Sequence, residues 1–197
     1  MRLRCITVCA LLALACSLAW SCPARAGQGI PGRYDSLIRS AVHRWWPRVP
    51  HADWRYWKAQ LYQESLLDPD AVSPVGARGL AQFMPGTWRE VAGQLGLGAV
   101  SPHAVRHAIN AGAYYMARLY RAWSSPRPDP DRWDLARASY NAGMGNLLKA
   151  QRRAGGATGF ADIMAALPQV TGHHSRETIT YVERIHHIYR RLTCGRR

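Results

Sequence analysis

In the stretch SPHAVRHAINAGAYYMARLYR, Ser101 to Arg121, the residues Val105, Ala108, Ile109, Gly112, Tyr115, Met116 and Leu119 recur three and four residues apart. That period lines them up as one stripe along an α-helix. Ser101 reads as its N-cap and Pro102 as its first helical residue. Working outward, the same period recurs on both sides. Tyr34 to Trp46 carries Leu37, Ile38, Ala41, Val42, Trp45 and Trp46 on one side and stops at Pro47. Asp53 is the expected N-cap of a helix from Trp54 to about Leu67, which ends in Asp68-Pro69-Asp70. A loop with glycines at 76 and 79 is expected from Ala71 to Gln82. Downstream, a helix from about Asp131 to Ala142 should break at Gly143 and Gly145 and resume through Lys149. Gly155-Gly156 reads as a linker, Phe160 to Leu167 as a short helix, and Ser175 to Leu192 as a final helix with Ile179, Val182, Ile185, Tyr189 and Leu192 inward. No stretch alternates apolar and polar residues with β-branched types over six positions, so the expected class is mainly α with little or no β-sheet.

With 197 residues and 48% hydrophobic content, the chain can build one domain with a substantial core. Only one segment is continuously apolar, which excludes a polytopic membrane protein. It runs from Cys5 to Trp20 behind Arg2 and Arg4 and ahead of Ala24-Arg25-Ala26. A basic start, a short apolar run and an A-x-A site are the features of a secretory signal peptide. Residues 1–26 are therefore expected to direct export to the periplasm and to be cleaved before Gly27. Cleavage would remove four of the five cysteines and leave Cys194, so the core is expected to hold without an internal disulfide. It would also lower the net charge from +14 only to +11, since just Arg2, Arg4 and Arg25 leave. The basicity thus belongs to the folded part and suits an anionic polymer. The arginines are dispersed and no nucleic-acid motif is present, so nucleic acid is not expected as a partner.

One carboxylate stands on the wrong face for a solvated charge. Trp57, Leu61 and Glu64 are four and then three residues apart, with Gln60 beside them, and so share the buried side of their helix. A desolvated glutamic acid holds its proton to higher pH, which suits a general acid. A buried glutamate paired with an arginine has the same spacing, so a second line of sequence is needed to decide.

Gln63-Glu64-Ser65 and the run from Ser73-Pro74-Val75-Gly76-Ala77-Arg78-Gly79-Leu80-Ala81-Gln82-Phe83-Met84-Pro85 to Trp88 supply that line. They resemble the signature of the soluble lytic transglycosylase domain, related to goose-type lysozymes. Ile109-Asn110-Ala111-Gly112-Ala113-Tyr114-Tyr115, Ser139-Tyr140-Asn141-Ala142-Gly143 and Glu177-Thr178 with Tyr181-Val182 continue the resemblance in the same order. It covers about residues 54–192. Residues 27–53 are left as an N-terminal segment with one amphipathic helix, and 193–197 as a basic tail.

The resemblance implies a lysozyme-like helical domain with a substrate cleft. It also implies cleavage of the β-1,4 bond between N-acetylmuramic acid and N-acetylglucosamine in peptidoglycan, leaving 1,6-anhydro ends, with no cofactor. Glu64 would act as acid and then as base. Ser73, Gln82 and Met84 would line the sugar cleft, Tyr140 would reach Glu64 or the neighbouring sugar with its hydroxyl, and Glu177 would bind glycan or peptide amides. Asp68 and Asp70 are the nearest other acids, in a sequence that reads as turn chemistry. Ala81, Phe83, Ser139 and Met144 depart from the family pattern without removing a reacting group. A lysozyme-type hydrolase and a non-catalytic glycan-binding scaffold remain open as alternatives. A monomer acting on glycan strands is expected, with an envelope-spanning secretion or conjugation apparatus as one setting left open. The histidines, including His103, His107, His173, His174, His186 and His187, have no Cys or acidic companions at zinc-like spacing, so no metal is expected.

Overall fold

A computed structural model describes residues 29–47 and 49–194. The expected leader at 1–26 and residues 195–197 of the expected tail lie outside the described residues. Within them run nine α-helices: α1 (Asp35–Trp45), α2 (Trp54–Ser65), α3 (Pro85–Gln94), α4 (Val105–Ala122), α5 (Asp129–Ala142), α6 (Met144–Arg153), α7 (Phe160–Ala166), α8 (Pro168–Thr171) and α9 (His174–Cys194). Two isolated bridges, Val72 with Arg78 and Arg78 with Phe83, are the β pairing among the described residues. The mainly α expectation therefore holds.

Three boundaries differ for local reasons. α4 begins at Val105, with Ala104 in the cap position. Ser101 instead closes a separate turn, its Oγ accepting from the His103 N–H at 3.2 Å and its carbonyl from the Ala104 N–H at 3.0 Å. α3 was hidden inside the signature run, because only Trp88, Val91 and Ala92 are buried along it and Pro85 reads as a breaker until its place at the helix start is seen. α9 runs through Cys194, so Thr193 and Cys194 are helix rather than tail. Cys194, the last residue of α9, is disulfide-bonded.

Packing follows the stripes. α2 lies against α9 and α1, α4 against α1 and α5, and α5 against α9 and α6. The fully buried Trp57 occupies the centre, its indole donating to the Ile109 carbonyl at 3.2 Å. It comes so close to α4 that a Cβ at Gly112 would stand 2.5 Å from its ring. Trp46 donates to the Ala113 carbonyl at 2.8 Å and Trp123 to Ser139 at 3.0 Å, so these large side chains are buried with their one polar group satisfied. Asp53 caps α2 as expected, accepting from the Arg55 N–H at 2.9 Å. The result is a three-helix arrangement of α2, α5 and α9. The C-terminal end of α2 meets the N-terminal part of α9, while the opposite ends of the same helices close a second region around Asp53.

Candidate active site

Glu64 sits in the last turn of α2, which ends because Leu66 and Leu67 adopt left-handed backbone with φ of 56° and 64°. Two consecutive αL residues are unfavourable for side chains with a Cβ, so the surroundings must hold them. Arg33 does so by donating to the Leu67 carbonyl at 2.5 Å, and Ser65 Oγ ties the helix end to the Leu80 carbonyl at 3.0 Å.

Glu64 is only partly exposed, although its carboxyl lies among protein groups that desolvate it. Burial raises its pKa to about 8; a hydrogen bond from Tyr181 opposes the rise, and the charge of Glu177 adds to it. Near neutral pH the carboxyl is thus mostly protonated, as a general acid must be. Tyr181 donates to Glu64 Oε1 at 2.5 Å. Its own phenol is pushed well above 10 by burial, with the Glu64 charge adding to the effect, so it remains a neutral donor. Gln60, 1% exposed, points its amide at Met116 Sδ at 3.4 Å and lies close enough to Tyr181 to oppose slightly the rise of its pKa. The Tyr181 hydroxyl therefore fixes the carboxyl and offers it a donor once ionised.

The residues singled out from the sequence divide into two sets. Glu177, exposed in the first turn of α9, and Tyr140, at the C-terminal end of α5, both interact electrostatically with Glu64. Tyr140 does not use its hydroxyl on Glu64, however: it donates to the Ala81 carbonyl at 2.7 Å. Its ring packs 5.3 Å from Tyr115 and 6.3 Å from Trp57, between core and cleft. The hydroxyl that meets Glu64 is that of Tyr181. The sequence held a signal for it, since Glu177 and Tyr181 are four apart and share a face of α9.

Ser73, Gln82 and Met84 lie on the loop that follows α2. Ser73 Oγ accepts from the Ala77 N–H at 3.0 Å and closes a turn. Gln82, at φ 44°, donates to the Gly79 carbonyl at 2.9 Å and the Ala71 carbonyl at 3.2 Å, so its amide nitrogen holds the loop. Met84 is 44% exposed, and Leu66, Val72 and Val75 are exposed on the same segment. Gly79 is obligatory: at φ 73°, a Cβ there would stand 2.1 Å from the Pro102 carbonyl oxygen. Asp68 accepts from the Asp70 N–H at 2.9 Å in an exposed turn, as the turn reading requires. Glu64 lines neither of two cavities, one beside α3 bounded by Arg78, Trp88 and Val100 and the other around Asp53.

The family model of the Transglycosylase SLT domain matches residues 46–163. The chain belongs to that family. Similar relatives include the membrane-bound lytic murein transglycosylases F of Alcanivorax borkumensis, 37% identical over 59% of this chain and 24% of that protein, and of Idiomarina loihiensis, 33% identical over 70% and 32%. The chain thus spans about a quarter to a third of the length of these curated relatives. Similar solved structures are the 70-kDa soluble lytic transglycosylase of Escherichia coli (TM-score 0.60, 24% identity, 83% of this chain and 25% of that one) and an inactive mutant of the lytic transglycosylase Slt of Pseudomonas aeruginosa (TM-score 0.63, 23% identity, 83% and 25%). A complex of the 70-kDa soluble lytic transglycosylase with bulgecin A is similar as well, with a TM-score of 0.61. In this SLT domain the matched residues contain Glu64, Ser73, Gln82, Met84 and Tyr140, whereas Glu177 and Tyr181 lie beyond residue 163. The hydrogen-bond partner of Glu64 thus comes from a helix outside the matched segment.

Proposed function

We propose that this domain cleaves the N-acetylmuramyl-β-1,4-N-acetylglucosamine bond of peptidoglycan without net use of water. The observation that carries the reading is Glu64: a carboxyl with a pKa near 8, held by a neutral tyrosine hydroxyl in an SLT domain. Glu64 donates its proton to the glycosidic oxygen as the bond to C1 breaks. Its carboxylate then takes the proton of the muramyl C6 hydroxyl, whose oxygen bonds to C1 and closes the 1,6-anhydro ring. The nucleophile is part of the substrate, already at high effective concentration, so one protein acid suffices where glycosidases ordinarily use two. Tyr181 stabilises the carboxylate between the two proton transfers.

In this reading Ser73, Gln82 and Met84 border the glycan, and Tyr140 positions the loop through Ala81. Glu177 has two effects: it meets substrate amides and it keeps Glu64 protonated. Residues 54–192 form the catalytic unit, 27–53 brace it, and 1–26 export it to the periplasm. The names of the relatives support a place at the murein. Among the described residues no helix is long and apolar enough to cross a membrane. The domain acts as a monomer, and opening the wall locally for an envelope-spanning apparatus is a setting it would suit.

The test is mass spectrometry of the soluble products when residues 27–197 digest purified sacculi, with Glu64→Gln in parallel. Anhydromuramyl ends from the wild type alone are the expected outcome. Reducing muramyl ends would instead assign a hydrolase, with Glu177 the acid to examine for activating water. No release by either protein would leave a glycan-binding scaffold.

A further inference from the structure

The cavity at the far end of α2, α5 and α9 has a volume of about 670 Å³ and is walled by Trp54, Tyr56, Trp133 and Tyr189, with Arg55 and Arg137 among its lining residues. Tyr56 lies eight residues before Glu64 on α2, roughly 12 Å along the helix at 1.5 Å per residue, so the cavity is separate from the cleft.

Its polar groups are organised in an unusual way for a structural network. Arg137 is 4% exposed, and its guanidinium lies 4.2 Å from the Tyr56 ring centre and 5.5 Å from that of Trp133. One N–H donates to Asp134 at 2.6 Å. A guanidinium has five N–H donors in a fixed plane, matched to carboxylate oxygens. Asp134 also binds His186 Nε2 at 2.9 Å, and His186 Nδ1 meets the Tyr56 hydroxyl at 3.2 Å. Asp53 is likewise engaged, by Arg55 at 2.7 Å and by the Tyr189 hydroxyl at 2.9 Å. Both acids are thus supplied with donors, while the arginines keep donors in excess of their bonds. Tyr56 and Tyr189 stack with ring centres 3.7 Å apart and hold the wall rigid. A buried ion pair with its histidine adds little to stability over an apolar cluster of the same volume. Here it instead presents a preoriented fork in an aromatic-walled cavity of small-molecule size.

We propose that this cavity is a second binding site, in which Arg137 and Arg55 hold a carboxylate of the short peptide carried by peptidoglycan. The assignment rests on the peptidoglycan reading above. Volume and chemistry favour it over a protein partner: the space suits a few residues rather than a protein surface, and the polymer that fills the cleft carries such acidic peptides at regular intervals. A peptide held there would fix the strand relative to Glu64 and make cleavage depend on the peptide decoration of the glycan.

Calorimetric titration of residues 27–197 with a free stem peptide tests this directly, because it needs no cleavage. The expected result is saturable binding that weakens at least tenfold when the peptide carboxylates are amidated. Binding should weaken similarly in Arg55→Gln and in Arg137→Gln, the fold of each variant being checked by circular dichroism. The comparison of amidated with free peptide stands even where Arg137→Gln does not fold. Glu64→Gln should bind the peptide as the wild type does while releasing no anhydro products, so a failure of the catalytic reading is told apart from a failure of this one. Equal binding of amidated and free peptide, no saturable binding, or unchanged affinity in the folded arginine variants would overturn the proposal. A tenfold loss in Glu64→Gln would place the peptide in the cleft and overturn it too. Tighter binding of a linear glutamate-rich peptide would assign the cavity to an acidic protein segment instead.

Discussion

Glu64 holds its proton to about pH 8 because burial outweighs the Tyr181 hydrogen bond, and the Glu177 charge tips the balance further. Each contribution can be removed separately, with opposite consequences. Glu177→Gln removes a charge that favours protonation, so the alkaline limb of activity, where the acid is lost, should move to lower pH. Tyr181→Phe removes a bond that favours the carboxylate, so the same limb should move to higher pH, and kcat should fall roughly tenfold because the charged intermediate loses a donor. Rate profiles on one soluble glycan substrate check both, and shifts of the same sign would contradict the assignment. The raised pKa also has a stability consequence. A folded-state value above the unfolded one contributes stability below about pH 4.5, which is lost as pH rises through about 8. Glu64→Gln should therefore melt near the wild type at pH 5 and above it at pH 9, by on the order of 1 to 2 kcal/mol after allowance for the carboxyl's partial exposure. Thermal melts at the two pH values measure the difference. Glu64, Glu177 and Tyr181 could all be named from the sequence, but the hydroxyl expected to reach Glu64 or the neighbouring sugar was that of Tyr140, and the one that meets the carboxyl is that of Tyr181. A motif fixes which residues are present and their order, whereas which hydroxyl reaches a carboxyl depends on how two helix ends meet.

At the level of elements, α2 is placed by its contact with α4 as much as by its own stripe. Gly112 allows the Trp57 ring against the α4 backbone, and a methyl there would meet it at 2.5 Å. Gly112→Ala should gain about 1 kcal/mol of helix propensity and lose more to overpacking, for a net destabilisation of about 1 to 2 kcal/mol. Because α2 carries Glu64, activity should fall more than stability alone explains, which urea unfolding and initial rates together would show. The helices around this contact were legible because their stripes bury many residues each. α3 was not, since it buries three residues and starts at a proline. The Ser101-Pro102 pair was misassigned for a related reason: a serine that caps a turn and one that caps a helix have the same local chemistry, and only the following backbone distinguishes them.

For the whole molecule, the domain is completed from beyond the segment that defines its family. α9 supplies Tyr181, Val182, Ile185 and Ile188 to the core and packs along α2. A chain ending at Leu167 retains every matched residue yet should lose the cooperative unfolding transition, since the apolar face of α2 would be left in water. Circular dichroism melts of the truncated chain would show this, and a sharp transition near that of the full chain would contradict it.

The sequence by itself determined the helical class, because the period of apolar residues is a property of the chain and survives any tertiary arrangement. It also determined the family and the candidate acid, because a long run of residue types in fixed order is read without knowing where they sit. Only the tertiary structure decided that Glu64 is desolvated, that Tyr181 holds it, that Tyr140 serves the Ala81 carbonyl, and that an aromatic-walled cavity with two arginine–aspartate pairs lies at the other end of the same three helices. Desolvation, hydrogen bonding and cavities arise between residues more than a hundred positions apart, such as Glu64 and Tyr181, which no local pattern relates.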